Sequence, residues 1–505
     1  MPSSADRGLK SIALDRPIAR VVVAGDGIVG WSAAAAMKRR LPWLDVTLLA
    51  LEPAADALAD HVSGTLPSIF GFHGDLGLGD DDTVARAGSL YRLGTRFRGW
   101  AQSVPEYVHA YGGYGGSIGP ASFHHHWVRA AHAGTAAPFD RHCAAAMLAG
   151  SDRFVPPEEV GALPGAGFEY GLQIDPPRYR EMLRAFALHC GVREQRGDIA
   201  AVAMRDDGFV AALTLADGAA LTADLFVDCT GPAARIRSCV DDAWESWRKW
   251  LPCDRVTMAE TPAPTICPST NTVEAVAAGW RWAAGGRHRT STGMVYSSAH
   301  ASEDDAAAAL GTPPVATIAI GPGTRPAPWL RNCVAIGDAA TVIEPLEWTN
   351  LHLAHSAIDR MIAMLPDRGC AAVETGDFNR QCAAEAMRVR DFVLLHYAAS
   401  SRTERFWRDV ADVEWPASLA HTLAQFRERG RLPIYEEETF ARDSWLAVLL
   451  GQGVLPRRSD PLIDIVPPRQ SDALMTVMRD TVAAAVARAP SQAAFLQAMN
   501  RQIAR

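Results

Sequence analysis

The sequence lacks several features that would assign a protein to a class at once. Its 505 residues carry 49 basic and 57 acidic side chains, so no excess of positive charge is available for nucleic acid or an anionic membrane surface. No apolar run approaches the ~18 residues of a membrane span, and residues 1–20 lack the apolar core of a secretory signal. We therefore expect a cytoplasmic protein that binds neither nucleic acid nor membrane.

Cysteine is scarce and unpatterned. The nine cysteines are odd in number, and no two of them form a C-x-x-C pair. This usage fits reduced thiols in a cytosolic interior better than a disulfide framework or a zinc site. The run His124-His125-His126 does not change that expectation, because consecutive side chains on an extended strand point to opposite faces and cannot converge on one ion. We expect no metal site.

A glycine-rich turn near the start of the chain is the first informative feature. An apolar run at residues 20–24 is followed by Gly25-x-Gly27-x-x-Gly30 and an alanine-rich stretch, the pattern of a dinucleotide-binding strand, turn and helix. Gly25 permits the tight turn, Gly27 lets the backbone approach a pyrophosphate, and Gly30 brings the helix close to the strand. The motif alone leaves open an NAD dehydrogenase, an FAD enzyme and a turn that binds nothing.

Two later segments favour FAD. Residues 224–231 form a buried strand pattern that ends in Asp-Cys-Thr-Gly231, and residues 332–340 form another that ends in Gly337-Asp338. In two-domain flavoproteins an aspartate at such a place meets the ribityl chain. Three strand ends that converge on one cofactor are a more specific signal than a single glycine turn.

The second strand, predicted at residues 45–50, leaves ribose recognition open. Nucleotide folds normally carry an acid at the end of this strand to hold the ribose hydroxyls. Here the strand ends in Ala50, with Glu52 two residues later. We therefore expect FAD to bind loosely.

These patterns predict an α/β fold of the two-domain FAD-binding type. A Rossmann-like nucleotide module with an antiparallel sheet is expected at residues 17–360, with an aromatic and glycine-rich excursion near 104–165. A mainly helical module on the substrate side is expected at residues 361–505. Residues 89–97 alternate like one strand, which would place Arg92 and Arg96 on the same face. Most aromatic side chains of the helical third are expected in the core, and one or two in a substrate pocket: Phe392, His396, Tyr397, Phe406, Trp407 and Trp445.

The chain resembles the flavin-dependent halogenases of the tryptophan halogenase type. The resemblance covers nearly the whole chain and implies a two-component enzyme, to which a separate flavin reductase supplies reduced FAD. In that family oxygen gives a flavin hydroperoxide, and halide attacks it to form hypohalous acid, which passes through the protein to an aromatic or indole-like small molecule. The matching segments are Gly25–Trp31, Phe123–His125, Asp224–Gly231, Gly293–Ser298, Asn332–Gly337, Glu344–Glu347 and Asp391–Tyr397.

The resemblance also implies site residues. Glu347 falls on the family glutamate that positions the oxidant and assists deprotonation, and Thr349 and Asn350 fall on the backbone positions that hold halide. Arg92 falls on the family lysine that captures the oxidant, and arginine differs from lysine because it is essentially always protonated. The cofactor-binding residues implied are Gly25, Gly27, Gly30, Gly231, Gly337 and Asp338.

Three further segments depart from the family pattern. The W-x-W-x-I-P signature keeps both tryptophans, Trp280 and Trp282, but loses the Ile-Pro pair. The flavin-side G-E-A-T loop is replaced by residues 63–65, Ser-Gly-Thr, and Trp348 stands where the family usually has serine.

Three functions therefore stay open. The first is an FAD-dependent halogenase-type oxidoreductase acting on an aromatic or indole-like molecule. The second is a flavin monooxygenase or oxidase in which Arg92 binds an anionic substrate. The third is a member that binds flavin or a ligand without turnover. For Glu347 itself, the alternative to a catalytic role is a cap at a helix start, where a carboxylate favours the helix dipole.

Overall fold

The computed structural model describes residues 16–160 and 167–503. Within these ranges the strands, β1 to β21 in chain order, are Arg20–Ala24, Asp45–Ala50, Leu90–Arg92, Gly94–Arg98, Glu106–Ala110, Gly171–Gln173, Arg193–Arg196, Ile199–Met204, Val210–Leu215, Ala220–Leu221, Leu225–Asp228, Glu245–Ser246, Arg255–Pro262, Thr270–Val276, Gly279–Gly285, Arg289–Tyr296, Ala316–Ala319, Gly323–Thr324, Trp329–Leu330, Cys333–Ala335 and Thr341–Val342. The helices, α1 to α16, are Ile28–Arg40, Ile69–Leu76, Asp80–Ala87, Phe123–His132, Ala144–Ala149, Pro157–Val160, Pro176–His189, Arg237–Val240, Glu303–Leu310, Asn350–Ala363, Ala372–Ala398, Arg405–Ala411, Ala417–Arg429, Arg442–Gly451, Pro468–Arg488 and Gln492–Ile503.

A six-stranded sheet carries the predicted nucleotide site. Its order is β19-β20-β11-β1-β2-β7, with β1 parallel to both β2 and β11, and β20 parallel to β11. The central strands β1 and β11 are apolar and buried, as expected for parallel strands covered on both faces, whereas the edge strand β7 is polar. Ala24 pairs with Asp228, which pairs with Ala335, so the ends of β1, β11 and β20 lie side by side. The predicted convergence of three strand ends is confirmed.

A second sheet of seven strands has the order β17-β13-β16-β15-β14-β4-β5 and is antiparallel except for the pair of β14 with β4. This is the antiparallel sheet that the sequence predicts. The prediction of a single strand over residues 89–97 is wrong, because β3 pairs with β6 in a separate two-stranded sheet. Gly94 makes the break: its φ is 155°, and a Cβ there would lie 2.2 Å from the His109 carbonyl oxygen. Arg92 is consequently buried, whereas Arg96 pairs with Glu106 at 2.7 Å on a different sheet.

The three consecutive histidines lie on helix α4, and the expectation of an extended strand is wrong. His124 Nε2 contacts the Gly430 carbonyl oxygen at 2.9 Å, and His126 Nε2 contacts the Ile118 carbonyl oxygen at 3.1 Å. Burial lowers the pKa of His124 to about 3, so its imidazole is neutral near pH 7. Helical geometry separates the side chains by about 100° each, so the histidines serve packing contacts in different directions.

The last third is helical, as its sequence pattern predicts; α11 packs on β19 and α14 on β5, whereas α12 and α13 pack on α11. Phe392, His396 and Tyr397 are buried in the long helix α11, and Trp445 of α14 borders a surface groove. The boundary predicted at residues 360 and 361 lies inside α10, and the division into two modules stays a prediction. In the part of the chain that the structure describes, no helix is long and apolar enough to cross a membrane.

Candidate active site

The turn after β1 has the shape that a dinucleotide requires. Gly25 has a φ of 129°, and a Cβ on it would lie 2.4 Å from the Cys229 carbonyl oxygen. A Cβ on Gly30 would lie 2.1 Å from the Gly25 carbonyl oxygen, so helix α1 can approach the turn after β1 only without a side chain at position 30. The first N–H groups of α1 therefore face the turn, where they can bind an anion such as a pyrophosphate.

A segment of this chain, residues 53–62, lies over that turn. The Ile28 N–H donates to Asp60 Oδ1 at 2.5 Å, and a Cβ on Gly27 would lie 2.1 Å from Asp60 Oδ2. A carboxylate thus occupies the anion position at the start of α1, and burial raises its pKa. The position suits an anion, and the 53–62 segment has to move before a pyrophosphate can take the place of Asp60.

The same segment covers the ends of β11 and β20. A Cβ on Gly231 would lie 2.8 Å from the Ala54 Cβ. The Ala59 N–H donates to Asp338 Oδ2 at 3.1 Å, and burial raises the pKa of Asp338 to about 7. Gly337, with a φ of 67°, packs on Val29 of α1. The glycines and the aspartate predicted to bind FAD therefore lie together at three strand ends under the 53–62 segment, and an anion position and close backbone approach there fit a dinucleotide once that segment has moved.

Glu347 is fully buried between two histidines. His109 Nδ1 contacts Glu347 Oε1 at 2.8 Å, and His396 Nε2 lies 2.9 Å from the same oxygen. Burial by itself would raise the pKa of the carboxyl, but the two imidazoles outweigh burial and lower the pKa to about 2. Glu347 is therefore ionised near pH 7, and its Oε2 has no hydrogen-bond partner among the described residues.

Arg92 is also buried, and most of its guanidinium is committed to neighbours. Its Nη1 donates to the Thr65 carbonyl oxygen at 2.8 Å and to the Tyr111 hydroxyl, and its Nη2 donates to Thr95 Oγ1. The guanidinium carbon lies 5.2 Å from the centre of the Tyr111 ring and 5.5 Å from that of Trp348. Within the described residues Nε has no acceptor and no carboxylate pairs with this cation, so Nε remains able to donate.

Two departures from the family pattern, at positions 64 and 348, are explained by one packing contact. A Cβ on Gly64 would lie 2.5 Å from the Trp348 ring, so the large indole at position 348 requires a glycine at position 64. Trp348 itself has a φ of 62°, an unfavourable value for a bulky residue, and its ring meets Trp282 edge-on at 6.4 Å. Trp348 therefore fills the interior beside the flavin-side loop and Arg92.

The retained tryptophan signature supports the turn that carries Glu347. Trp280 Nε1 donates to Glu344 Oε2 at 2.8 Å, and the Tyr397 hydroxyl donates to the same oxygen at 2.7 Å. Burial raises the pKa of Glu344 to about 7, although the two hydrogen bonds by themselves would lower it. The bonds fix the first residue of the Glu344–Glu347 turn to β15 and α11.

A cavity of about 910 Å³ opens beside Tyr111. Tyr111 and Phe440 form part of its wall, with Ser68, His352 and Phe168 nearby. Glu347 and Arg92 do not line it and lie behind Tyr111 and the His109 side chain. The volume and aromatic lining suit a small aromatic molecule or a larger molecule with an aromatic group.

The predicted halide positions lie at the start of α10, directly after Trp348. The helix begins at Asn350, whose side-chain amide donates to the Ile343 carbonyl oxygen at 3.0 Å, and Thr349 precedes it. The N–H groups at a helix start favour an anion. The halide role of both residues stays a prediction, as do the roles of Glu347 and Arg92.

Several residues of the candidate site are not predicted by the sequence. His109 lies 238 residues from Glu347, and no motif joined them. Asp60 and Ser68 carry no motif, and His352 follows the matched Glu344–Glu347 segment without forming part of it. The sequence marks His396 as one of several aromatic side chains of the helical third, and its place beside Tyr397 in the Asp391–Tyr397 segment indicates an interior position but no partner.

Comparison with known proteins agrees with this geometry. The model of the tryptophan halogenase family matches residues 20–468. The tryptophan 6-halogenase SttH of Streptomyces toxytricini is 25% identical over 527 residues, covering 96% of this chain and 99% of SttH. The tryptophan 7-halogenase RebH of Lentzea aerocolonigenes is 26% identical over 496 residues, covering 89% of this chain and 92% of RebH.

Solved structures give the same result. BrvH, a flavin-dependent halogenase from Brevundimonas sp. BAL3, has a TM-score of 0.90 and 35% identity, covering 95% of this chain and 99% of BrvH. Xcc4156, a flavin-dependent halogenase from Xanthomonas campestris, has a TM-score of 0.90 and 34% identity, covering 96% of this chain and 99% of that structure. The fold and cradle are those of an FAD-dependent oxidoreductase. More narrowly, the chain belongs to the tryptophan halogenase family.

Proposed function

We propose that this enzyme halogenates an aromatic or indole-like small molecule, using reduced FAD that a separate flavin reductase supplies. The observation that carries the proposal is the ionised Glu347, buried between two histidines behind an aromatic-lined cavity. When bound, reduced FAD supplies the oxygen-activating chemistry that oxidises halide to hypohalous acid. The chain's own residues bind the cofactor, hold the oxidant and present the substrate.

Glu347 and Arg92 offer complementary groups to hypohalous acid. That molecule has one O–H to donate and an oxygen that can accept. Glu347 Oε2 is an acceptor without a partner among the described residues, and Arg92 Nε is likewise a free donor. Because both lie behind Tyr111, they can hold an oxidant on the inner side of the substrate cavity.

The test combines the full chain with FAD, a flavin reductase, NADH, bromide and indole, and identifies the product by mass. We expect bromoindole from the parent protein. Glu347→Gln should lower the rate by about 100-fold or more, because it removes the charge that acts on the proton and oxidant, while FAD affinity stays unchanged. A Gln variant with full turnover would contradict the role of Glu347.

A second candidate, oxygenation of an anionic substrate, is favoured by one observation. Position 92 carries an arginine, which cannot form the haloamine available to a lysine. Arg92→Lys distinguishes the two candidates when bromide products are compared. A gain in bromination supports halogenation with an altered oxidant-holding residue. An oxygenated product from the parent, with weaker substrate binding and no brominated product in the lysine variant, supports oxygenation instead.

A further inference from the structure

A hydrogen-bonded row of side chains runs from the cavity wall into the interior. Ser68 Oγ contacts His352 Nδ1 at 2.7 Å, and His352 Nε2 lies 3.2 Å from Glu385 Oε1. Ser68 and His352 both line the cavity, whereas Glu385 is buried behind them. The three residues come from the start of α2, from α10 and from α11, so tertiary packing alone assembles them.

The inner end of the row is held as an anion. Glu385 Oε2 accepts from Arg360 Nη1 at 2.5 Å, and Arg360 Nη2 donates to Glu437 at 2.6 Å. Burial by itself would raise the pKa of Glu385, but His352 and Arg360 outweigh it and lower the pKa to about 2. An ionised carboxylate can only accept hydrogen bonds, so the His352 nitrogen beside it carries the hydrogen.

The hydrogen on Nε2 sets the direction of the outer bond. In the Nε2–H tautomer of His352, Nδ1 is an acceptor, and the Ser68 hydroxyl donates to it. Thr439 Oγ1, at 3.3 Å from Nε2, also lines the cavity and is compatible with the same tautomer. The Ser68 oxygen therefore keeps its lone pairs for a partner in the cavity.

A helix-capping role does not explain the hydrogen bond between the Ser68 hydroxyl and His352. Ser68 precedes α2, yet its side chain does not cap that helix. The residue is exposed in the cavity, so a substrate can reach it. Glu169 and Asp443, two carboxylates that also border the cavity, are not hydrogen-bonded to Ser68 or His352 within the described residues.

We propose that Ser68 anchors the ring N–H or phenolic O–H of the aromatic substrate, with His352 and Glu385 as residues that orient the Ser68 hydroxyl. The substrate class is then aromatic molecules that carry such a hydrogen, including indoles, pyrroles and phenols. The proposal rests on the proposed function for the identity of the cavity as the substrate site. The anchor is a hydrogen bond and requires no covalent step.

Equilibrium binding to the full chain, measured by calorimetry without turnover, tests the anchor. The probes are two matched pairs, indole with 1-methylindole and phenol with anisole. 1-Methylindole and anisole lack the N–H or O–H group that would donate a hydrogen bond to Ser68 Oγ. We expect the parent protein to bind the first member of each pair about fivefold tighter or more, the size of one hydrogen bond.

Variants separate the anchor from general packing. Ser68→Ala should bring the affinity ratio of each pair close to one, and Ser68→Thr, which retains the hydroxyl, should restore the preference. Ser356→Ala is the matched control, because Ser356 also donates to Glu385 Oε1, at 3.0 Å, but does not line the cavity. This control should keep the parent's ratio.

Three results would overturn the anchor: equal affinities within each pair in the parent, an unchanged ratio in Ser68→Ala, or no binding of indole and phenol at all. Product analysis with bromide is scored separately. A parent that shows the expected affinity ratios but yields no halogenated product would contradict the proposed function and leave the anchor standing. A parent that brominates indole while binding both members of each pair equally would support the proposed function and contradict the anchor.

Discussion

At the scale of single residues, two buried glutamates of the site differ in ionisation because their neighbours differ. Glu347 is ionised because two histidines flank it, whereas Glu344, three residues earlier, has only two neutral donors and a pKa of about 7. Two glutamates of one turn thus differ in charge near neutral pH. The charged Glu347 lies behind Tyr111 and His109, whereas Glu344 holds the shape of the turn through its two hydrogen bonds.

Glu344 gives a prediction on stability. Its pKa in the folded protein is about 7, above the value of 4.5 for an ordinary glutamate, so the folded state holds a proton that the unfolded state has released. The parent should therefore lose stability relative to Glu344→Gln as pH rises from about 4.5 to about 7, by up to about 3 kcal/mol. Urea unfolding at pH 5 and pH 8 measures this change. An equal difference at both pH values would show that the carboxyl does not titrate in that window.

The contact of Gly64 with Trp348 gives a second prediction. Gly64→Ala should destabilise the parent by about 1–3 kcal/mol, because the added methyl group meets the indole ring. In a Trp348→Ser background the same change should cost almost nothing. Denaturant unfolding of the four proteins in a double-mutant cycle measures the coupling. Additive costs would mean that the two positions are independent departures from the family pattern.

At the scale of elements, the 53–62 segment lies over the predicted cofactor cradle. Asp60 takes the anion position at the start of α1, and Ala54 and Ala59 cover the other two strand ends. Gly64 and Thr65 follow after Ser63 and contact Trp348 and Arg92, so one stretch of chain connects the predicted cofactor cradle with the surroundings of Arg92.

This competition predicts that Asp60→Ala binds FAD more tightly. Removing the carboxylate frees the Ile28 N–H and the helix start for the pyrophosphate, and we expect about a fivefold lower dissociation constant. Flavin fluorescence titration measures it. Asp56→Ala is the control, since it removes an equal charge from the same segment without contacting Ile28, and its affinity should match the parent's. Weaker binding by Asp60→Ala would show that the carboxylate supports the FAD-bound state instead.

At the scale of the whole molecule, positive charge is carried almost entirely by arginine. The chain has three lysines, of which Lys10 lies outside the described residues. Lys38 donates to the carbonyl oxygens of Pro42 and Leu44, and Lys249 lies over the Trp250 ring. None of the described residues that line the cavity is a lysine. Any chemistry of this enzyme therefore proceeds without an amine at position 92.

Reductive methylation of the amines should leave the turnover rate unchanged. The modification keeps the positive charge of each lysine but alters its nucleophilicity, and both described lysines are bonded away from the cavity. Mass spectrometry gives the extent of methylation, and the product assay gives the rate. A loss of activity that follows the extent of methylation would reveal a catalytic amine that position 92 does not provide.

Local sequence determined much of the fold and part of the site. The strand, turn and helix around Gly25, Gly27 and Gly30 follow from local spacing and from close approaches that only glycine tolerates, and the two later strand ends follow from the same kind of pattern. The prediction failed where local pattern was ambiguous: Gly94 breaks an alternating run, and the three histidines near residue 125 form a helix.

Tertiary structure alone decided which side chains meet. His109 and Glu347 are 238 residues apart, and Ser68 and His352 are 284 apart, so no spacing in the sequence could pair them. The charge of Glu347 depends on those long-range partners, because burial by itself favours the neutral form. The sequence by itself determined the cofactor cradle and the family, since these depend on short segments. The folded chain determined the charges and contacts of the substrate side, since these depend on packing between distant segments.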